Sequence, residues 1–429
     1  MVGYRQHLPH AMNRDRPVTP RQAHPLAFPV TMWGLSRLWI LLGLLGIAPL
    51  LQAPPGGEQA LFHWSAFTAW DSTFYASIAT TGYSYIADGQ GHNVAFFPML
   101  PLLIRGVMVL GFPFEVAGVL VTNGAFLISV ILLYRWLQGR KGEAIARWAV
   151  IVLVWCPFSL FGTVVYTESV FLAFSIATLA ACDRRDPLQT ALWGACATAA
   201  RLPGLALVPA LLITAWCQRR TGWAYLAALS TGLGAGLYSL FCWLQFGDPL
   251  AFLNVQQAWA VPDQFYGQGW LIMFGEVFLG PGNIGDAGFT DPVYPLVVLL
   301  LIGLGIAVAR SRFRGRVYAG GALFVLAWLV AGDPLLNLCM VLGSLALLWR
   351  YRAEIPATAL LYGFLSFLGI LSHGRTISLE RHTYGIVTVA IAVGIWLHYH
   401  PKLARVVVSF SGLILLLYSI RFAQSLWIA

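Results

Sequence analysis

The sequence predicts an all-α polytopic membrane protein, and three observations support this prediction. Hydrophobic residues make up 59% of the 429 residues and charged residues only 10%, whereas ordinary soluble domains are about a quarter charged. Apolar runs of about 20 residues, the length that crosses a bilayer as a helix, recur along the chain. The basic residues lie mostly in short connections between these runs, as in cytoplasmic loops of membrane proteins.

The charge and cysteine content exclude two other classes of protein. The net charge is +9, but the connections between apolar runs account for most of the basic residues, so we expect no nucleic-acid partner. The six cysteines fall in or at the ends of apolar runs, so no disulfide framework is predicted. The histidines show no spacing typical of a metal site.

The N-terminal region predicts the orientation of the chain. Residues 1–30 contain Pro, His and Arg without an apolar core, which favours a flexible cytoplasmic tail over a signal peptide. Residues 31–429 are predicted to form one transmembrane domain, with its first crossing at 32–51. The basic residues before this crossing place the tail inside; they are Arg14, Arg16, Arg21 and Arg37.

A first outer loop is predicted at 54–112. It carries Glu58, Asp71 and Asp88, with no Lys or Arg before Arg105. Its segment WDSTFYASIATTGY repeats aromatic and aliphatic residues at helical spacing, which predicts a helix on the outer membrane surface. We expect residues 96–112 to be interfacial or re-entrant, because a full crossing there would place the next basic connection outside.

The rest of the chain predicts about 12–13 membrane segments in all. The run 188–217 has basic residues at both ends, so we expect both ends on the cytoplasmic side. The chain would extend into the membrane towards the outer side and return, with a break at Arg201-Leu202-Pro203-Gly204. A second outer loop is predicted at 247–290, again without Lys or Arg.

Two acids are candidates for chemistry. Asp71 stands beside the membrane between Trp70 and Ser72, and the alternative to a functional role is a solvated acid or a helix N-cap. Glu168, in the segment YTES, begins a predicted crossing, and its alternative is a favourable interaction with the helix dipole.

Three arginines are predicted on the outer side, where this chain otherwise has few basic residues; they are Arg201, Arg375 and Arg381. One such residue would be explained by snorkelling to lipid headgroups. Three of them together with acids favour an outward-facing site for an anionic ligand such as a phosphate.

Several segments together resemble a known family. WDSTFYASIATTGY, AFFPMLPLL, CPFSLFGTVVYTESVFLAFS, ATAARLPGLALVPALL and FGDPLAFLNVQQAW are similar, in this order, to motifs of the PIG-V-like mannosyltransferases of the GT-C superfamily. The resemblance runs from roughly residue 32 to 260, with a weaker match at GRTISLERHTYG.

The resemblance implies a GT-C fold with an outer-face active site between the first outer loop and the membrane. It implies inverting transfer of mannose, or a related hexose, from a polyprenyl-phosphate-linked donor. Asp71 matches the family's proposed catalytic base, Glu168 and Arg201 match polar positions of later motifs, and Tyr166 begins the YTES block. The segment Arg381-His382-Thr383-Tyr384 departs from the family's arginine-tyrosine pair, which weakens the case for a functional role of Arg381.

The residue types agree with that chemistry. A phosphate leaving group needs no strong acid, whereas the acceptor hydroxyl needs a base within about 2.6–3.2 Å, and Asp71 is the candidate. We expect Trp70 and Tyr75 to contact the sugar, and Arg201, with Arg375, to bind the donor phosphate. No cofactor is indicated; a divalent metal stays open, because Asp71 and Asp88 lack the spacing of a chelating pair.

The alternatives are a transporter or lipid-linked-sugar flippase, and a structural subunit of a membrane complex. Charges gathered on the outer side, rather than along a central pathway, favour the enzyme. The expected partners are the bilayer, the lipid-linked donor and an acceptor that the sequence leaves open among glycolipid, polysaccharide precursor and protein. We expect a bacterial plasma membrane, or its equivalent, the ER membrane, in a eukaryote.

Overall fold

The structure, a computed structural model, describes residues 26–259, 265–284, 288–372, 376 and 378–428. Within those residues every regular element is helical, so the predicted all-α class is confirmed. Most of the predicted cytoplasmic tail lies outside the described residues.

Ten helices form the N-terminal half of the chain. They are α1 (Ala27–Leu41), α2 (Ser72–Thr80), α3 (Met99–Met108), α4 (Phe114–Lys141), α5 (Glu143–Trp155), α6 (Glu168–Asp183), α7 (Pro187–Ala200), α8 (Leu207–Cys217), α9 (Gly222–Ser230) and α10 (Leu233–Phe246).

The C-terminal half continues with helices of more varied length. They are α11 (Ala251–Asn254), α12 (Gln268–Phe278), α13 (Val293–Arg310), α14 (Arg316–Ala331), α15 (Asp333–Leu338), α16 (Ser344–Arg350), α17 (Ala357–Ser372), α18 (Leu379–Tyr384), α19 (Val387–Tyr399) and α20 (Pro401–Ala423).

The chain is an integral membrane protein. In the described residues, five helical stretches are long and apolar enough to cross a bilayer: Ala27–Leu50, Phe114–Lys141, Val293–Arg310, Asp333–Arg350 and Pro401–Ala423. A sixth is the pair α9–α10, if its 41° bend lies within one span. The count is lower than the 12–13 expected segments because several apolar runs are divided into shorter helices.

Proline and glycine cause two of these divisions. The helix α5 ends at Trp155, directly before Cys156 and Pro157. The predicted break in 188–217 is observed: α7 ends at Ala200, Arg201 is extended, and a 3₁₀ turn covers Leu202–Ala206. The run 188–217 is thus two helices joined at Arg201.

Residues 54–112, the predicted first outer loop, contain short helices. The helix α2 follows Asp71 directly, and α3 has ten residues, which is about half the length needed to span. Residues 96–112 therefore do not cross the membrane as one helix.

The helix α6 is the centre of the bundle. Thirteen of its sixteen residues are buried, and it packs against α4 and α7. Because α6 begins at Glu168, the most enclosed helix of the chain carries an acid at one end.

The position of Arg37 differs from the prediction, which placed this residue among the charges before the first crossing. It lies inside α1 and is buried. Its guanidinium donates to the Ser159 carbonyl at 3.0 Å and to the Thr163 hydroxyl at 2.6 Å, and it lies 4.5 Å from the centre of the Phe126 ring. A hydropathy window cannot separate such a structural arginine from a loop charge, so Arg37 carries no information on orientation.

We expect Arg37→Leu to lower the melting temperature of the purified protein in detergent by several degrees. The substitution leaves buried oxygens of residues 159 and 163 without their donor, and each unsatisfied group costs about 1–3 kcal/mol. Arg105→Leu is the matched control, since Arg105 is exposed on α3. Equal melting temperatures for the two variants would contradict a structural role for Arg37.

Candidate active site

Four of the residues predicted from the sequence meet in one chain of ion pairs. The Asp71 carboxylate accepts from Arg381 Nη1 at 2.8 Å. Arg381 Nε lies 3.6 Å from Glu168 Oε1, and the same oxygen accepts from Arg201 Nη1 at 2.6 Å. We call this set of residues the ion-pair cluster: Asp71, Glu168, Arg201 and Arg381.

The backbone around Asp71 is held against the segment that leads into α6. The backbone N–H of Asp71 donates to the Tyr166 hydroxyl at 3.2 Å, and the Ser72 hydroxyl donates to the Val165 carbonyl at 3.0 Å. The Asp71 side chain makes no capping hydrogen bond to α2. Its carboxylate is thus directed to Arg381 instead of serving as a helix N-cap.

Glu168 is the most enclosed member of the cluster, with 1% of its side chain exposed. A carboxylate buried to that extent is stable only when opposite charges and hydrogen bonds compensate it. Arg201 and Arg381 supply that compensation through Oε1, whereas Oε2 has no hydrogen-bond partner. Glu168 therefore does more than interact with the dipole of α6, because it joins the two arginines.

Arg381 comes from α18, far along the chain from the first outer loop. Its guanidinium lies over two aromatic rings, 5.5 Å from the centre of Phe161 and 5.3 Å from that of Tyr166, an arrangement that favours a cation. The departure from the family's sequence motif at this position had weakened the case for Arg381. In the structure, however, Arg381 forms an ion pair with Asp71. Arg375 lies outside the described residues.

Two residues next to Arg381 were not singled out from the sequence. His382 Nδ1 lies 3.2 Å from Arg201 Nη2. The helix α18 thus contributes Arg381 to the cluster and also contacts Arg201. Glu380 is buried, its Oε2 has no hydrogen-bond partner, and burial raises the pKa of its carboxyl to about 7. The one sequence signal for both is the polar run LERHT between two apolar segments.

The aromatic residues beside Asp71 are placed differently from one another. Trp70 is 40% exposed, adopts a φ of 57°, and packs edge to face on Trp427 with ring centres 5.2 Å apart. Such a backbone is uncommon for a bulky residue and occurs most often at functional sites. Tyr75 is buried against Phe96, so Trp70 is the one of the predicted pair that offers an open ring.

A second aspartate of the loop, Asp88, is separate from the cluster. It is exposed and bonds to His92 Nε2 at 2.8 Å. This hydrogen bond, with one from the Gln90 amide, lowers the pKa of Asp88. Among the described residues, no group of three or more His, Cys, Asp or Glu side chains is arranged to hold a metal ion.

Two solved structures resemble this one loosely. The oligosaccharyltransferase of Archaeoglobus fulgidus, tethered with an acceptor peptide, has a TM-score of 0.48 at 11% identity, covering 92% of this chain and 55% of that one. ArnT of Cupriavidus metallidurans, bound to undecaprenyl phosphate, has a TM-score of 0.39 at 13% identity, covering 87% of this chain and 77% of that one. The chain thus spans about half the length of the oligosaccharyltransferase.

Sequence comparison gives one match. Among proteins of curated function, none matches the chain significantly. The model of the family described as mannosyltransferase (PIG-V) matches residues 58–226, a region that contains Asp71, Glu168 and Arg201 but ends before α18. Over residues 58–226, the resemblance to the PIG-V mannosyltransferases that the motifs predict is confirmed.

Proposed function

We propose that the protein is a membrane glycosyltransferase of the GT-C type that transfers mannose, or a related hexose, from a polyprenyl-phosphate-linked donor. The acceptor lies on the extracytoplasmic face, and Asp71 is the general base. The observation that carries the proposal is the Asp71 carboxylate, which lies in the family-matched first outer loop and is bound to Arg381 at 2.8 Å.

The proposed reaction is a single inverting displacement. The acceptor hydroxyl oxygen attacks the anomeric carbon of the donor sugar, and its proton passes to the Asp71 carboxylate. The bond between the anomeric carbon and the phosphate oxygen breaks, and the polyprenyl phosphate leaves with the electron pair. Asp71 suits the base because 23% of its side chain is exposed, so an acceptor has access to it, and the open ring of Trp70 offers a stacking face for a sugar.

The charge balance of the ion-pair cluster indicates how the donor binds. The cluster contains two carboxylates and two guanidiniums, so its formal charge is zero. A phosphate that enters such a site must draw a guanidinium away from a carboxylate. Arg381 is the candidate, because its pair with Asp71 is more exposed than the pair of Glu168 with Arg201.

This exchange would couple donor binding to catalysis. While Arg381 holds Asp71, the guanidinium occupies one oxygen of the carboxylate. When the donor phosphate takes over hydrogen bonds from Arg381, the same guanidinium stabilises the charge that develops on the leaving group. Asp71 is then free to accept the proton of the acceptor hydroxyl.

Glu168 has a positioning role in this proposal. It accepts from Arg201 at 2.6 Å and lies near Arg381 Nε on its other side. Because Glu168 starts the most buried helix of the bundle, it holds Arg201 in place, while Arg381 Nη1 faces Asp71. Arg201 is the second guanidinium that we assign to the phosphate, and Tyr166 supports the backbone of Asp71.

The first test is transfer of labelled mannose from polyprenyl-phosphate-mannose in membranes that contain the wild type or Asp71→Asn. Removal of a general base lowers rates by about 10²–10⁴-fold, so we expect the variant to lose transfer while its expression stays unchanged. Asp88→Asn is the matched control, since it removes an exposed acid of the same loop, and it should keep wild-type activity.

Each result of this test has a definite meaning. Equal transfer by the wild type and Asp71→Asn would remove Asp71 as the base and direct attention to Glu168. Transfer by neither, with glucose, galactose or arabinose donors also inactive, would contradict the glycosyltransferase proposal and favour the flippase, which translocation in proteoliposomes would detect.

We expect Arg381→Gln to raise the KM for the lipid-linked donor by about 10–100-fold, because a charge-assisted hydrogen bond contributes about 1.5–3 kcal/mol. The kinetics are measured with purified protein over a range of donor concentrations. Arg421→Gln is the control, since Arg421 pairs with Asp333, outside the cluster. An unchanged donor KM together with a lowered melting temperature would show that Arg381 is structural only.

A further inference from the structure

A large apolar cavity extends from Tyr384, the last residue of α18, to the start of α20. Its volume is about 1540 Å³, and it separates the α13–α14 hairpin from α5, α19 and α20. Aliphatic and aromatic side chains form most of its wall, including Leu301, Phe324, Leu347, Val393, Trp396 and Phe410. In water such a surface would be costly, but in a bilayer it is suited to hydrocarbon.

The hairpin that closes one side of the cavity is only lightly packed. Within α13 the single buried residue is Val298, and α14 has none. The two α14 glycines differ: a Cβ at Gly321 would collide with Val406 on α20, whereas one at Gly320 would meet nothing. The hairpin thus contacts α20 closely at Gly321, and also through Phe324 and Trp328, whose rings pack on Phe410.

One end of the cavity is basic. Arg316, Lys402 and His400 line it there, at the start of α14 and at the connection from α19 to α20. Residues 305–332 and 385–429 contain no Asp or Glu. The acid nearest in the described contacts, Glu354, accepts a hydrogen bond from the Tyr399 hydroxyl at 2.8 Å. This end of the cavity therefore carries uncompensated positive charge.

The basic end is distant from the proposed reaction. The helix α18 carries Arg381 to the cluster, and α19 then runs for thirteen residues before it ends at Tyr399. At 1.5 Å per residue this is a rise of roughly 20 Å. The connection rich in arginine between α13 and α14 is predicted to be cytoplasmic, so the basic end faces the opposite leaflet from Asp71.

We propose that this cavity is a binding site for an anionic phospholipid of the cytoplasmic leaflet. Its acyl chains occupy the apolar cavity beneath the α13–α14 hairpin, and its phosphate is held by Arg316 and Lys402. Basic pockets between transmembrane helices on this side of a membrane are suited to anionic headgroups. The uncharged chain of a polyprenyl donor, with its phosphate at the cluster, would gain nothing from these cations.

The test is native mass spectrometry of the delipidated full chain after incubation with phosphatidylglycerol or phosphatidylcholine of identical acyl chains. We expect the wild type to bind one phosphatidylglycerol at least tenfold more tightly than phosphatidylcholine. The double variant Arg316→Gln/Lys402→Gln should weaken phosphatidylglycerol binding roughly 30-fold, as expected for loss of two favourable charges. Gly320→Leu, which places a branched side chain in the cavity lining, should weaken binding of both lipids.

The control is Gly303→Leu. Gly303 lies on α13 outside the cavity lining, and a Cβ there meets nothing within 4 Å, so this variant should bind lipid as the wild type does. Equal affinity for the two lipids, equal loss in Gly303→Leu, or a polyprenyl phosphate that displaces phosphatidylglycerol would each overturn the proposal. If Gly320→Leu fails to fold, the double variant at the exposed rim decides the matter alone.

Discussion

The site depends on the pairing of one almost fully buried carboxylate with two guanidiniums. Glu168 begins α6 with 1% of its side chain exposed, and a charge at such a position must be compensated locally. Removal of one partner from a buried pair typically costs about 3–5 kcal/mol. Glu168 therefore obliges Arg201 and Arg381 to converge, and the convergence of Arg381 in turn places a cation against Asp71.

That requirement also explains the local backbone. Arg201 reaches Glu168 from the break between α7 and α8, where its extended φ of −156° takes it out of the helix. A Cβ at Gly204 would lie 2.9 Å from the Ala197 carbonyl oxygen, so the turn folds tightly back on α7 only because this position has no side chain. The break in the helix thus allows the Arg201 side chain to reach Glu168.

Local sequence signals predicted the parts of the site but not all of its pairings. The motifs around Asp71, Glu168 and Arg201 lie within 130 residues of one another, in text that resembles one family, and the break at Arg201 follows from Pro203 and Gly204. The partner of Asp71 is 310 residues away. No spacing rule relates such positions, so Arg381 was predicted only as one of three arginines of an anionic-ligand site, and His382 and Glu380 were not predicted as site residues.

The same limit applies to the membrane segments. Hydropathy and charge place the apolar runs and the break at residues 201–204 well, because both signals are local. They misplace Arg37, whose hydrogen bonds go to residues more than a hundred positions away. They do not predict that several apolar runs form helices of 10–17 residues, such as Ala357–Ser372 and Val387–Tyr399.

The distribution of burial in the cluster gives the site a direction. Glu168 and Arg201, at 1% and 11% exposure, form its enclosed side, whereas Asp71, at 23%, forms its open side directly before α2. A ligand that competes for a guanidinium would reach Arg381 from the Asp71 side. The ion pair there is more exposed to solvent than the pair of Glu168 with Arg201, so it is easier to break. In the proposed reaction this asymmetry favours one order of events: the phosphate would displace the carboxylate from Arg381, while Glu168 would keep the guanidinium in place.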